Sequence, residues 1–405
     1  MKKMKHKFFF LFLTLTTMTS GQTDLSSVEG LFFLDGSPVT IKIAGGKITD
    51  VIPLSSSDDL PSFFVAPGLI DIQINGYMGV DFTGSDLSLE AIRAATKALW
   101  AEGVTSYLPT VITNTHERLA NNFAILAQAM ADPEIGKSIP GFHLEGPYIS
   151  PVAGFRGAHL EKYIRLPNWE EFSVYQKAAK GGIKLITLAP ELEGALPFIR
   201  HLIEEDIVVS LGHHNGSTAD IQAAVYAGAS LATHLGNGCA NMINRHHNPL
   251  WPQLADDRLS ISIIVDGYHL NKEEVQSFYK IKGTENTILI SDALDLAGLE
   301  PGEYIRGERT VELTPNVIKF PAENVLAGAA SPIRLGVGNM MRFTQCSLKD
   351  AIQMASTQPA KLLKLTDIGE IRPGKRADLI LFTVEGGEIK IQQTMVAGKV
   401  VYTNN

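Results

Sequence analysis

Runs of consecutive apolar, often β-branched residues alternate along most of the chain with segments whose apolar positions recur three or four residues apart. The first pattern predicts strands buried on both faces, and the second predicts helices with one buried side. Eight strands are predicted, at Ile70–Asn75, Thr105–Val111, Ile139–Glu145, Ile183–Pro190, Ile207–His213, Leu231–His234, Ser260–Asp266 and Thr287–Asp292. Helices are predicted between them at Leu87–Glu102, Arg118–Met130, Trp169–Ala179, Ala195–Glu205, Ala219–Tyr226 and Glu273–Ile281. Alternation of this kind belongs to a parallel sheet, and eight such units close into a (β/α)8 TIM barrel. An open doubly wound sheet is the structural rival, but no G-x-G-x-x-G follows an early strand.

Alternation in the strand period appears near the two ends. Val39–Ile43 and Lys47–Ile52 flank Gly45-Gly46 and predict a hairpin, and Ala377–Phe382, Glu388–Ile391 and Thr394–Tyr402 predict short strands separated by glycine turns. The ends are therefore expected to build one small β-sandwich domain, from residues 22–66 and 366–405, around a catalytic barrel at 67–365. Residues 1–21 have a different character: a basic start, Met1–Lys7, an apolar run, Phe8–Leu15, and then small and polar residues. That order predicts a signal peptide cut near Gly21 and export to the periplasm, or a cytoplasmic protein if the leader does not function. Its apolar part is short for a bilayer and no later segment is long enough, so no stable membrane span is expected after leader removal.

A hydrophobic content of 45% supports a large core, and the net charge of −8 argues against a nucleic-acid partner. Only Cys239 and Cys346 occur, which gives no disulfide framework and no C-x-x-C motif.

The polar residues that end the predicted strands carry the candidate chemistry. Glu145 ends the third, within Gly141-Phe-His-Leu-Glu-Gly-Pro-Tyr-Ile-Ser150. His213 ends the fifth, His234 the sixth, Asp266 the seventh with His269 just beyond, and Asp292 the eighth. In a parallel barrel these ends share one rim. Taken singly, each has a plain reading: Glu145 as a salt-bridge partner, His213 or His214 as a structural imidazole, Asp292 as a cap and Asp295 as a solvated loop charge. Taken together, one carboxylate and two imidazoles suit a divalent ion such as zinc with a coordination position left open, which can acidify a water and polarise a carbonyl. Asp292 would then take the proton of that water and pass it to a departing amine.

Further motifs repeat this order: Ala66-Pro-Gly-Leu-Ile-Asp-Ile-Gln-Ile-Asn-Gly76, His143-Leu-Glu-Gly-Pro147, Gly157-Ala-His159, Thr187-Leu-Ala-Pro-Glu191, Gly212-His213, Thr233-His-Leu235, Asp266-Gly-Tyr-His269, Ser291-Asp-Ala293 and Pro373-Gly-Lys-Arg-Ala-Asp378. With them the chain resembles the amidohydrolase superfamily, and within it the N-acetylglucosamine-6-phosphate deacetylases, over essentially everything after the leader. The resemblance implies metal-dependent hydrolysis of the N-acetyl amide of N-acetylglucosamine 6-phosphate, releasing acetate. Many superfamily members carry His-x-His after the first strand and bind a second metal, whereas Gln73-Ile-Asn75 stands here and implies a single ion, expected to be zinc. Position by position, it makes Glu145, His213 and His234 the ligands and Asp292 the general acid/base. Ala158, His159 and His269 would lie against the substrate, with His159 near the acetyl carbonyl. Asn237, Gly238 and Arg245 would lie near the phosphate, with Leu326, Ala327 and Gly328 on the other side. Arg245 would reach in from a second subunit, which implies a homodimer.

Two loops depart from that family. Gly236-Asn-Gly-Cys239 replaces an aromatic-Asn-Ala-Met pattern, and Ala327-Gly-Ala-Ala-Ser-Pro332 lacks the hydroxyls of a Ser-Gly-Ser pattern. With the leader, these changes keep an unphosphorylated N-acetyl amino sugar or an N-acyl amino acid open as substrate. A cyclic-amide hydrolase is the rival reaction, set back by the missing His-x-His and lysine bridge. A catalytically silent carbohydrate-binding protein is the rival class.

Overall fold

The apolar runs fold as expected into one eight-stranded parallel sheet whose strands pair in chain order. In the computed structural model, which describes residues 25–54, 60–323 and 325–404, these strands are Leu69–Ile74, Val104–Ile112, Phe142–Glu145, Ile183–Leu188, Val208–Leu211, Leu231–Ala232, Ser260–Ile264 and Thr287–Ile290. The expected signal peptide lies outside the described residues. Between the last strand and the first, the Asp292 amide donates to the Gln73 carbonyl at 2.9 Å and the Ser291 amide to Asp71 Oδ1 at 3.2 Å. These bonds tie the two ends of the sheet together as a barrel.

Several strands stop short of the expected boundary for one reason. His213, His234 and Asp292 each sit two residues past the last strand residue, with φ of 51°, 31° and 50°. A left-handed residue cannot continue an extended ladder, so pairing ends before it.

The helices follow from their apolar spacing and caps. Ser88 accepts from the Ala91 amide to start Leu89–Ala101, which buries Ile92, Ala95, Thr96, Leu99 and Trp100 on one side. Ser217 with Asp220 and Asn271 with Glu274 form capping boxes at the starts of Thr218–Ala227 and Lys272–Lys282.

Both chain ends enter one seven-stranded sheet, ordered Lys399–Thr403, Glu388–Val396, Leu379–Glu385, Phe64–Pro67, Leu25–Phe32, Pro38–Ala44 and Lys47–Pro53. Phe64–Pro67 joins the ends, running antiparallel to Leu379–Glu385 and parallel to Leu25–Phe32. The break expected between Ile391 and Thr394 is absent. Glu388–Val396 is one strand, because Leu381 pairs with Gln393 and Phe382 with Ile391, so that Gln392 is absorbed as a bulge.

A further element is not foreshadowed by the apolar pattern. Gly302–Arg306, Arg309–Leu313, Val317–Phe320 and Val325–Ala329 form a four-stranded antiparallel sheet after the eighth barrel strand. The Ala329 amide donates to the Asp292 carbonyl and the Leu294 amide to the Ala329 carbonyl, which stitches this sheet to the rim. Among the described residues, no helix is long and apolar enough to cross a membrane.

Candidate active site

Glu145 is the last residue of the third barrel strand, and His213 and His234 follow the fifth and sixth. The barrel brings one ligand atom from each to within 4.8 Å of the others, and all three side chains are buried. His234 Nε2 is 3.1 Å from Glu145 Oε1 and 3.1 Å from His213 Nε2. His213 Nδ1 donates to the Phe155 carbonyl at 3.0 Å, which fixes the tautomer and leaves Nε2 with its lone pair toward the others. Burial opposes the charge on Glu145, but the two imidazoles beside it hold its carboxyl well below the usual range. An ionised carboxylate and two inward-facing nitrogens fit a divalent cation. This donor set does not select among the borderline metals.

The strand-one residues that replace His-x-His face the same pocket, because positions two apart on a strand share a side. Gln73 Nε2 donates to Glu145 Oε1 at 2.8 Å and lies 3.3 Å from Asp292 Oδ1, while Asn75 Nδ2 donates to Asp292 Oδ1 at 2.7 Å. Asp292 is buried, and burial together with the Glu145 charge pushes its carboxyl up to about 6. The chain thus holds two carboxylates apart in character, one fixed as an anion and one able to carry a proton.

Local backbone strain marks the same residues. A left-handed residue other than glycine costs on the order of 1 kcal/mol or more, and three of the four convergent side chains adopt that conformation. The turn swings each side chain over the barrel mouth.

His159 lies beside the cluster, with its ring 4.4 Å from that of His213 and its Nδ1 2.8 Å from Thr113 Oγ1. Burial, then the neighbouring His213, lowers it to about 3, so the ring is neutral. His269 Nδ1 pairs with Asp266 Oδ2 at 2.7 Å, and Asp266 Oδ1 accepts the Tyr268 and His269 amides. Burial works against the Asp266 anion, yet the His269 bond and these amides keep it below its ordinary range.

Asn237 and Gly238 line a pocket with His213, His214 and Cys239. A side chain at Gly238 would meet His213 Nδ1 at 2.9 Å, and Asn237 Nδ2 is buried with no hydrogen-bond partner among the described residues. Gly328, at φ 131°, backs against the Asp292 carbonyl, and Leu326 and Ala327 share its strand. Ala158 offers its carbonyl to Arg309 at 3.0 Å. Arg245 is exposed on its loop, where its guanidinium bonds to His246.

His214 is buried outside the cluster and accepts the Gly216 amide at Nδ1, as a structural imidazole does. Asp295 is no solvated charge: it is 8% exposed and accepts from Arg306 at 2.9 Å. The reading by residue type overlooked Thr113 and gave Gln73 and Asn75 no active part. The i, i+2 spacing of Gln73 and Asn75 on an inward-facing strand was the available signal.

The chain is similar to proteins of known family and fold. A model of the amidohydrolase family matches residues 64–401. The N-acetylglucosamine-6-phosphate deacetylase of Bacillus subtilis is 32% identical over 373 residues, covering 89% of this chain and 92% of its own. The N-acetylgalactosamine-6-phosphate deacetylase of Escherichia coli O157:H7 is 30% identical over 361 residues, covering 89% of this chain and 93% of its own. Among solved structures, the N-acetylglucosamine-6-phosphate deacetylase of Thermotoga maritima superposes with a TM-score of 0.83 at 28% identity, over 93% of this chain and 100% of that one. With its barrel, its convergent Glu145, His213 and His234, and a family match across most of its length, the chain belongs to the amidohydrolase family and is a hydrolase of amide bonds.

Proposed function

We propose that the protein removes the acetyl group from an N-acetyl amino sugar 6-phosphate, with N-acetylglucosamine 6-phosphate as the leading substrate. The observation that carries this reading is the buried Glu145, His213 and His234 cluster with Asp292 held beside it by Gln73 and Asn75. Relatives named for both the glucosamine and the galactosamine sugars support the class of substrate more strongly than the particular epimer.

Glu145, His213 and His234 would hold one divalent ion, for which zinc is our choice. Such an ion acidifies a water and polarises the amide carbonyl. Asn75 and Gln73 engage Asp292 Oδ1, so we assign Oδ2 as the oxygen that takes the proton of the attacking water and returns it to the leaving amine. Thr113 occupies His159 Nδ1, which leaves Nε2 for the acetyl carbonyl of the substrate. A neutral imidazole there donates without adding a charge that would repel the cation. Asp266 holds His269 Nδ1 and so presents its other nitrogen to the sugar or its phosphate. The Asn237 amide, without a partner among the described residues, supplies a further donor. Arg245, exposed in the single chain, would complete the anion site across a homodimer.

The basic and apolar start and the hydroxyl-free Ala327-Gly-Ala-Ala330 loop favour a second reading, in which an exported protein acts on an unphosphorylated N-acetyl amino sugar. Acetate release from a matched panel of phosphorylated and unphosphorylated N-acetyl sugars, with leader-free and metal-loaded protein, tests both. Turnover confined to the phosphorylated members supports the first reading. Release from none of them removes the deacetylase assignment.

A further inference from the structure

The sheet inserted after the eighth barrel strand carries a tight hairpin in which Arg306 and Arg309 are directly paired across Gly307 and Glu308. Opposed residues of an antiparallel pair point to the same face, so both guanidiniums leave the sheet together. Arg306 bonds to Asp295 Oδ1 at 2.9 Å and contacts Asp81 Oδ2 at 2.8 Å. Glu308 meets Lys162 at 3.3 Å. One turn thereby ties the loops that follow the first, third and eighth barrel strands.

Arg309 is the member that reaches the active site. Its Nη1 donates to the Ala158 carbonyl at 3.0 Å, and its guanidinium stacks over Phe320 at 3.6 Å. Glu323 stands off at 3.8 Å and is half-exposed, so among the described residues the carbonyl is the closest polar partner of Arg309. A guanidinium bond to a carbonyl is charge-assisted and directional. The oxygen it holds belongs to the peptide joining Ala158 to His159, whose ring packs against His213 and Thr113. Rotation of that peptide would swing the imidazole away from both.

We infer that Arg309 is a positioning residue for His159, gripping the Ala158 carbonyl from the inserted sheet so that the imidazole stays fixed beside the Glu145, His213 and His234 cluster. This rests on the role proposed above for His159. It gives the inserted sheet a part in catalysis, through geometry and without contact to the substrate.

The test is a double-mutant cycle between Arg309 and His159. Arg309→Met keeps an unbranched stem against Phe320 and removes every donor. Its kcat/KM should fall about tenfold or more, since a misplaced active-site group costs up to about 10²-fold. Metal content and melting temperature should stay at wild-type values. In a His159→Asn background the same substitution should change kcat/KM less than twofold, and Arg309→Lys, which retains a donor, should recover part of the loss. Equal losses in both backgrounds would mean that Arg309 acts elsewhere, and no loss in the wild-type background would overturn the inference outright. Imidazole ¹H–¹⁵N spectra read the same geometry without turnover: Arg309→Met must move the His159 ring signals while leaving those of His214 in place. If wild-type protein releases no acetate, the deacetylase reading fails, and the spectra still decide whether Arg309 positions His159.

Discussion

Asn75 donates its side-chain amide to Asp292 Oδ1 at 2.7 Å, from just past the first barrel strand across the barrel seam and 217 positions away in sequence. The bond favours the ionised form of Asp292 against burial and the Glu145 charge, which together push the carboxyl up to about 6. It therefore tunes as well as holds.

Removing that donor with Asn75→Ala should raise Asp292 further. A hydrogen bond to a charged group is worth about 1.5 kcal/mol or more, which corresponds to roughly one pKa unit. Asp292 must be ionised to accept a proton, so a higher pKa leaves less of the active form at a given pH. The acid limb of the kcat/KM profile should move to higher pH by about that amount. A profile that does not move would separate Asp292 from the proton transfer. In the wild type with its cation bound, positive charge beside Glu145 offsets the repulsion on Asp292, so the limb should lie below 6.

Asp292→Asn preserves an acceptor oxygen and removes the ability to carry the proton. Metal content should be unchanged and kcat should drop by roughly 10²–10⁴-fold, the usual worth of general acid/base transfer. Metal analysis and steady-state kinetics on the same preparation check this. A variant that loses the ion along with its activity would instead make Asp292 a ligand.

Chelation should abolish turnover, and it should also lower the melting temperature, because an ion that binds only the folded chain adds stability by mass action. At a free concentration one hundred times Kd the contribution is about 2.7 kcal/mol. His213→Ala should show the lower melting temperature without chelator and no further drop with it. A melting temperature indifferent to chelator in the wild type would argue that Glu145, His213 and His234 do not share an ion.

Much of this architecture was readable from residue patterns, for a physical reason. Barrel strands are buried on both sides, so their apolar runs are unbroken, and parallel pairing then places Glu145, His213, His234 and Asp292 on one rim without any knowledge of contacts. Two things stayed hidden. The left-handed turns at His213, His234 and Asp292 carry no glycine to announce them, since tertiary contacts impose the conformation. The inserted sheet stayed hidden because Glu303, Arg306, Glu308, Arg309 and Glu312 interrupt its apolar positions. Two of those charges find their partners only in the folded chain, Arg306 in Asp81 and Asp295 and Arg309 in the Ala158 carbonyl.

Arg306 offers a stability test of that insertion. Its side chain is 13% exposed, against 19% for Asp81 and 11% for Asp295, so its loss leaves two carboxylates largely shielded from water with no cation between them. Breaking a buried pair in this way costs about 3–5 kcal/mol, much of it the penalty of the stranded charges. Arg306→Met should therefore lower the urea midpoint strongly, whereas adding Asp81→Asn and Asp295→Asn to it should restore a substantial part by neutralising what was stranded. Hydrogen exchange separates two routes to the loss. If the sheet opens alone, protection falls across residues 302–329 while the barrel strands keep theirs. If it is cooperative with the barrel, both fall together. An Arg306→Met protein with an unaltered midpoint and unaltered exchange would show that the neighbouring backbone stitches at Asp292, Leu294 and Ala329 suffice to hold the sheet, and that the ion pair is incidental.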